Sequence, residues 1–225
     1  IPLLPVAVAG LGDGSTGITS PTTNTGNLVA GIDIAPTVLD HLGLDIPDDM
    51  RGRPMGAEGE ADPGSLLPFR DRLSSLGPRR LPSLGLLFAG WLGIFLVVGA
   101  IIGRDRARMP VRRLGGLAVL WIPTTILIPA AIGNPPALAE YFIIAGTALL
   151  LGWLTDRFVP WPRAPLIPAI VGLGAITIDL AFGSHLITRS ILGPNPGYGS
   201  RFYGVGNELK SGLTVIMLAG VAAFL

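Results

Sequence analysis

A chain of 225 residues that is 49% hydrophobic and only 14% charged is too apolar for an ordinary soluble domain. Its formal net charge of +1 gives no electrostatic basis for a nucleic-acid partner. The absence of Cys excludes disulfides, thiolate zinc sites, Fe–S ligation and a Cys nucleophile.

The N-terminal stretch mixes short apolar runs with turn chemistry. Residues 6–9 read as a buried strand that runs into the glycine-rich loop GDGSTG, with Gly12, Gly14 and Gly17 in G-x-G-x-x-G spacing. A dinucleotide site needs a helix opening at that loop so that its N-terminus faces the pyrophosphate. The continuation ITSPTTNTGN is turn and loop instead, which argues against a nucleotide. Residues 28–32 read as a second short strand, followed by DIAPTVLDHLG. Asp33 is placed to cap the first turn of a helix, Pro36 falls where a missing N–H costs little, and Gly43 supplies the stop. Ile34, Val38, Leu39 and Leu42 share one face, so the helix is expected to pack on a sheet. His41 lies on this helix with no second ligand near it in sequence, and reads as a helix surface residue.

The run GITSPTTNTGNLVAGIDIAPTVLDHLGLDIPDDMRGRPM resembles the C-terminal end of an alkaline phosphatase superfamily domain. Sulfatases, phosphopentomutases and cofactor-independent phosphoglycerate mutases close their α/β/α fold with a similar pattern. The residues that carry the likeness are Asp33, Ile34, Ala35, Pro36, Thr37, Leu39, Leu42, Gly43, Pro47, Met50 and Gly52. The resemblance implies metal-assisted phosphoryl or sulfuryl transfer, in which a Ser or Thr nucleophile works beside two metal ions held by Asp and His. In the family those ligands lie mostly upstream of the matching segment. The chain itself is therefore expected to hold no catalytic residue, no metal ligand and no cofactor; divalent metal ions would belong to the upstream part. Opening at Ile1 without Met and closing at Leu225 inside an apolar run, the chain is read as a piece of a longer protein.

Three zones follow. Residues 1–56 are read as the closing strand–helix piece of an extracytoplasmic α/β/α domain. Residues 57–80, charged and rich in Gly, Pro and Ser, read as a linker. Residues 81–225 read as a polytopic, mostly α-helical membrane domain of four to five spans, because a bilayer core needs about 20 apolar residues per helix. The expected spans are 84–103, 114–132, 139–154 and 164–182, with a fifth starting near Ser211. Pro123 and Pro129 are expected to kink the second. Glu140 and Asp156 bound the third and read as solvated.

The loop holding Arg104, Arg106, Arg108, Arg112 and Arg113 argues for a cytoplasmic position, and the loop with Arg157 and Arg163 lies on the same side. Alternation then places residues 1–80 and the 183–210 loop outside. Against this stand Arg70, Arg72, Arg79 and Arg80, which precede the first span on the outer side.

The densest polar cluster lies in the outer loop, with Asn195, Tyr198, Arg201, Tyr203, Asn207, Glu208 and Lys210 set among glycines and prolines. Arg can fork onto a phosphate or carboxylate, while Asn and Tyr can hydrogen-bond a sugar or headgroup. An anionic or lipid-linked envelope substrate would suit this set. The competing reading is an interfacial loop with snorkelling side chains, in which Arg201 pairs with Glu208. The segment GPNPGYGSRFYGVGNE also resembles a motif of bacterial multi-spanning proteins that carry extracytoplasmic phosphatase-like domains. Asp179 stands near the outer end of the fourth span, followed by His185 and Arg189. A proton or ion relay is one reading; a structural pair of Asp179 with Arg189 or His185 is the other. The leading function is a metal-dependent hydrolase or transferase acting on phosphorylated, sulfated or lipid-linked envelope material. The alternatives are a transporter or flippase-like protein whose soluble part is non-catalytic, and a simple membrane anchor.

Overall fold

The computed structural model describes residues 4–11, 14, 16–23, 26–61, 63–102, 104–194 and 204–225. The architecture is a bundle of long helices preceded by a small two-stranded unit. Strand β1 (Ile18–Thr19) pairs antiparallel with β2 (Gly56–Ala57), Ile18 opposite Ala57 and Thr19 opposite Gly56. Between them lies a 3-10 turn (Gly31–Asp33) running directly into α1 (Ile34–His41).

Neither expected strand forms: residues 6–9 and 28–30 are irregular, and 31–33 are helical. A strand needs a partner edge for its N–H and C=O groups, and among the described residues neither segment has one. No helix opens at Gly17, where the chain instead enters β1. The Asp33 carboxylate also departs from the expected cap. It turns away from α1 to accept the N–H groups of Ala30 (2.9 Å) and Arg53 (3.1 Å). One turn on, the Thr37 hydroxyl donates to the Asp33 carbonyl and accepts the Met55 N–H at 2.9 Å. Asp33 and Thr37 thus bind the returning segment 53–55 to the start of α1. Gly52 makes the return feasible: its φ is +95°, and a Cβ there would sit 2.3 Å from the Ile32 carbonyl oxygen. The apolar face of α1 is not covered as expected, since Ile34, Val38 and Leu42 are each at least half exposed.

The next helix, α2, runs unbroken over Pro63–Ile102 and takes in most of the residues expected to be linker. Its buried positions Arg72, Leu73, Leu76, Arg80 and Ser83 recur at helical spacing. Tertiary partners on this stripe, described below, outweigh the local cost of Pro68, Pro78 and Pro82 inside the helix. Next come α3 (Arg104–Thr125) and the short α4 (Leu127–Ala131). They are interrupted at Ile126, where Pro129 has no N–H to offer the Thr125 carbonyl. Helix α5 spans Ala137–Phe158, α6 spans Leu166–Ala181, α7 is the short His185–Arg189, and α8 runs over Asn207–Phe224.

Three helices among the described residues, over Leu66–Val98, Met109–Ala131 and Ala137–Phe158, are long and apolar enough to cross a membrane. At 1.5 Å per residue, the 16-residue α6 reaches only about 24 Å against a hydrocarbon core of about 30 Å. The chain is a multi-pass membrane protein. Ile126, Leu127, Ile144, Ile176, Ile187, Ile191, Leu192 and Leu209 form the main core, toward the end of the bundle where α4, α7 and the start of α8 meet. Helices close on one another at small residues. A Cβ on Gly152 of α5 would lie 3.0 Å from the Ala118 nitrogen of α3, and one on Gly220 of α8 would lie 2.7 Å from Ala169 of α6.

Candidate functional site

The end of the bundle formed by the first half of α2, the α4–α5 turn, α7 and the start of α8 holds most of the buried charge. Glu140, in the first turn of α5, is completely buried. Arg72 of α2 grips it in a fork, from Nη1 to Oε2 at 3.0 Å and from Nη2 to Oε1 at 2.5 Å. Arg79, two helical turns further along α2, donates to Oε2 at 2.9 Å and to the Pro135 carbonyl at 3.3 Å. Glu140 is therefore not solvated, contrary to the sequence reading. A carboxylate cannot be buried alone, and two guanidiniums replace the water it loses. Asp156, at the other end of α5, does remain at the surface, where it accepts the Trp161 indole N–H at 2.7 Å.

Arg80 points to the neighbouring side of the cap. It donates to the carbonyls of Ile191 (3.0 Å), Gly193 (2.8 Å) and Pro194 (3.1 Å), and to Glu208 Oε1 at 3.1 Å. One buried guanidinium thus ties the start of the α7–α8 loop to α8. The loop is pinched at its base, because a Cβ on Gly206 would lie 2.3 Å from the Gly193 carbonyl oxygen. Glu208 is consequently the partner of Arg80. Asn195, Tyr198, Arg201 and Tyr203 lie outside the described residues. Asn207 and Lys210 stand exposed on the first turn of α8.

Asp179 forms neither expected side-chain pair. Helix α6 does not continue toward His185: Gly183 (φ 93°) and Ser184 (φ 58°) reverse the chain and start α7. The reversal brings backbone N–H groups onto the Asp179 carboxylate, Leu186 to Oδ1 at 3.0 Å and Ile187 to Oδ2 at 2.7 Å. Both oxygens are thereby committed to holding α7. His185 is exposed. The Arg189 guanidinium stacks over the Phe69 ring at 5.6 Å, and the Arg189 carbonyl accepts Arg72 Nε at 2.9 Å.

The sequence reading overlooked Arg72, Arg79, Arg80 and Glu140 as a unit. A signal was present: the arginines stand seven and eight residues apart, on the same side of a helix as Leu73 and Leu76. Its proline and glycine content obscured that stripe.

Outside the membrane, burial alone would raise the Asp33 carboxyl. The Thr22 hydroxyl beside it, the Ala30 and Arg53 N–H groups and Ser20 outweigh that effect, and hold it below the usual carboxylate value. His41 is exposed, and the described residues contain no group of three or more His, Asp or Glu side chains placed to hold a metal ion. No family model matches the chain, and no curated protein or solved structure matches it.

Proposed function

We propose that the protein to which this chain belongs is a membrane-anchored, metal-dependent hydrolase or transferase acting on phosphorylated, sulfated or lipid-linked envelope material. The chain contributes the multi-pass anchor and the closing segment of an extracytoplasmic domain. The observation that carries this reading is the Asp33–Thr37 clasp. Asp33, Thr37 and Gly52, three of the residues behind the alkaline phosphatase resemblance, act together on one local unit with Arg53 and Met55. The reading assigns the nucleophile and the metal ligands to a part of the protein outside this chain.

The cap supports an outward placement of residues 1–80. Arg72, Arg79 and Arg80 have their charges taken up by Glu140, Glu208 and backbone carbonyls, so they weigh less as orientation signals. The basic segment 104–113, expected as a loop, is the first part of α3 instead; there the Arg113 guanidinium lies 5.2 Å from the centre of the Trp161 ring, so this segment and the α5–α6 loop share one side. A transporter or flippase reading would draw on Asp179 as a relay, whereas each of its oxygens accepts a backbone N–H of α7, which suits a structural role.

The test is to purify the complete gene product in detergent and assay p-nitrophenyl phosphate, its bis-ester and p-nitrophenyl sulfate. The expected result is hydrolysis of at least one, abolished by a chelator, restored by a divalent metal and retained in Asp179→Asn. No turnover on any of the three, whichever metal is supplied, would sink the hydrolase reading.

A further inference from the structure

A half-open cleft of about 210 Å³ lies at the edge of the polar cap, lined by Pro68, Phe69, Arg72, Asn134 and Arg189. Its charge is unbalanced. Glu140 is shared between Arg72 and Arg79, so that trio carries one positive charge in excess. Arg189 adds another and meets no acidic side chain among the described residues. The other carboxylates of the cap are spoken for: Glu208 by Arg80, Asp71 by Arg70, and Asp179 by the N–H groups of α7. Arg72 already commits Nε and one N–H of each terminal nitrogen to the Arg189 carbonyl and Glu140. Arg189 has no carboxylate partner among the described residues; one face lies on Phe69 and its planar fork suits phosphate oxygens. Asn134, held in a left-handed turn at φ 58°, brings an amide to the same cleft.

The volume falls below the roughly 300 Å³ at which sites for whole small molecules begin, and suits a single headgroup. Leu67, next to Pro68, Ile132, two residues before Asn134, and Leu138, in the first turn of α5, are each more than half exposed. A soluble anion has no use for exposed apolar neighbours of this kind, whereas acyl chains do.

We propose that this cleft binds the phosphate of a membrane lipid. Arg189 holds the phosphate oxygens, Asn134 lies beside the headgroup, and the acyl chains run over Leu67, Ile132 and Leu138. The site belongs to the membrane domain and stands whether or not the protein hydrolyses anything.

The experiment titrates the complete protein in neutral detergent with dioctanoyl phosphatidylglycerol, dioctanoylglycerol and inorganic phosphate, by calorimetry. The phospholipid should bind and the phosphate-free diacylglycerol should not. Arg189→Gln should weaken the phospholipid about tenfold or more, the scale of a lost charge-assisted fork. Arg70→Gln removes an equal charge from exposed α2 and should leave affinity within about twofold. Asn134→Gly keeps the left-handed turn, tests the site without relying on the folding of the arginine variant, and should cost a few-fold. Equal binding of the two lipids, an unchanged Arg189→Gln or Asn134→Gly, or an equal loss in Arg70→Gln would each overturn the proposal. Inorganic phosphate binding as tightly as the lipid would assign the cleft to soluble phosphate esters and overturn the lipid.

Discussion

Glu140 has no exposed surface and two arginine partners, and its contribution rests entirely on them. Replacing a buried ion pair whole can be neutral, but removing one partner strands the other. Glu140→Gln should therefore destabilise the bundle by about 3–5 kcal/mol. Mixed-micelle denaturation followed by circular dichroism checks this; a loss below 1 kcal/mol would mean that Arg72 and Arg79 find other acceptors. Asp33 gives a prediction in pH. Its carboxyl is held below the ordinary value of 3.8 in the folded segment, so the unfolded chain takes up the proton first as the medium is acidified. The stability it adds is complete above the ordinary carboxylate range. It fades as pH falls through that range toward the lowered value. Protection of the Ala30 and Arg53 amides, taken relative to the intrinsic exchange rate at each pH, should fall over that interval, and Asp33→Asn should flatten this change while lowering the protection at neutral pH.

At the scale of elements, α2 and α7 owe their form to bonds made far away in sequence. The first half of α2 carries three internal prolines and charged turns, yet it is helical because Arg72, Arg79 and Arg80 reach α5, the α7 segment and α8. Helix α7 has only five residues, too few to persist alone, and Asp179 holds it from below. Asp179→Asn keeps one strong acceptor and loses the second along with the charge. It should cost about 1–3 kcal/mol, read as faster exchange of the Leu186 and Ile187 amides. A relay role would instead show as lost proton or ion flux in liposomes with those amides still protected. Helix α1 makes the opposite point. Its apolar face was legible in the sequence, but Ile34, Val38 and Leu42 remain exposed on it.

Across the whole molecule, large apolar side chains face outward as well as filling the core, and helices meet one another at small residues. Phe142, Ile170, Ile178 and Leu218 are each more than half exposed, as lipid-facing positions are, while the buried arginines cluster at one end. Orientation is testable by cysteine labelling measured against the unsubstituted protein, to which this chain contributes no Cys. Ser74→Cys, exposed on the first half of α2, should react with a membrane-impermeant maleimide added to intact cells. Arg163→Cys, exposed beyond α5, should react only after permeabilisation. The reverse pattern would place the cap in the cytoplasm and invert the proposed topology.

Local sequence was enough for the membrane character, for three of the four to five expected spans in outline, for the proline interruption of the second and for the turn chemistry at Gly43. Each of these depends on hydrophobic runs or backbone rules that act within a few residues. It also marked Asp33, Asp179, Arg189 and Glu208 as notable, and offered the first-turn amides of α1 for Asp33, Arg189 or His185 for Asp179, and Arg201 for Glu208. The partners found come from the way segments fold back and pack on one another: Ala30 and Arg53 for Asp33, the α7 amides for Asp179, Phe69 for Arg189 and Arg80 for Glu208. Glu140 was misjudged for the same reason, since its arginines lie more than sixty residues away. A charge near a membrane must be neutralised, but which group neutralises it follows from how helices meet. Local sequence does not encode that meeting.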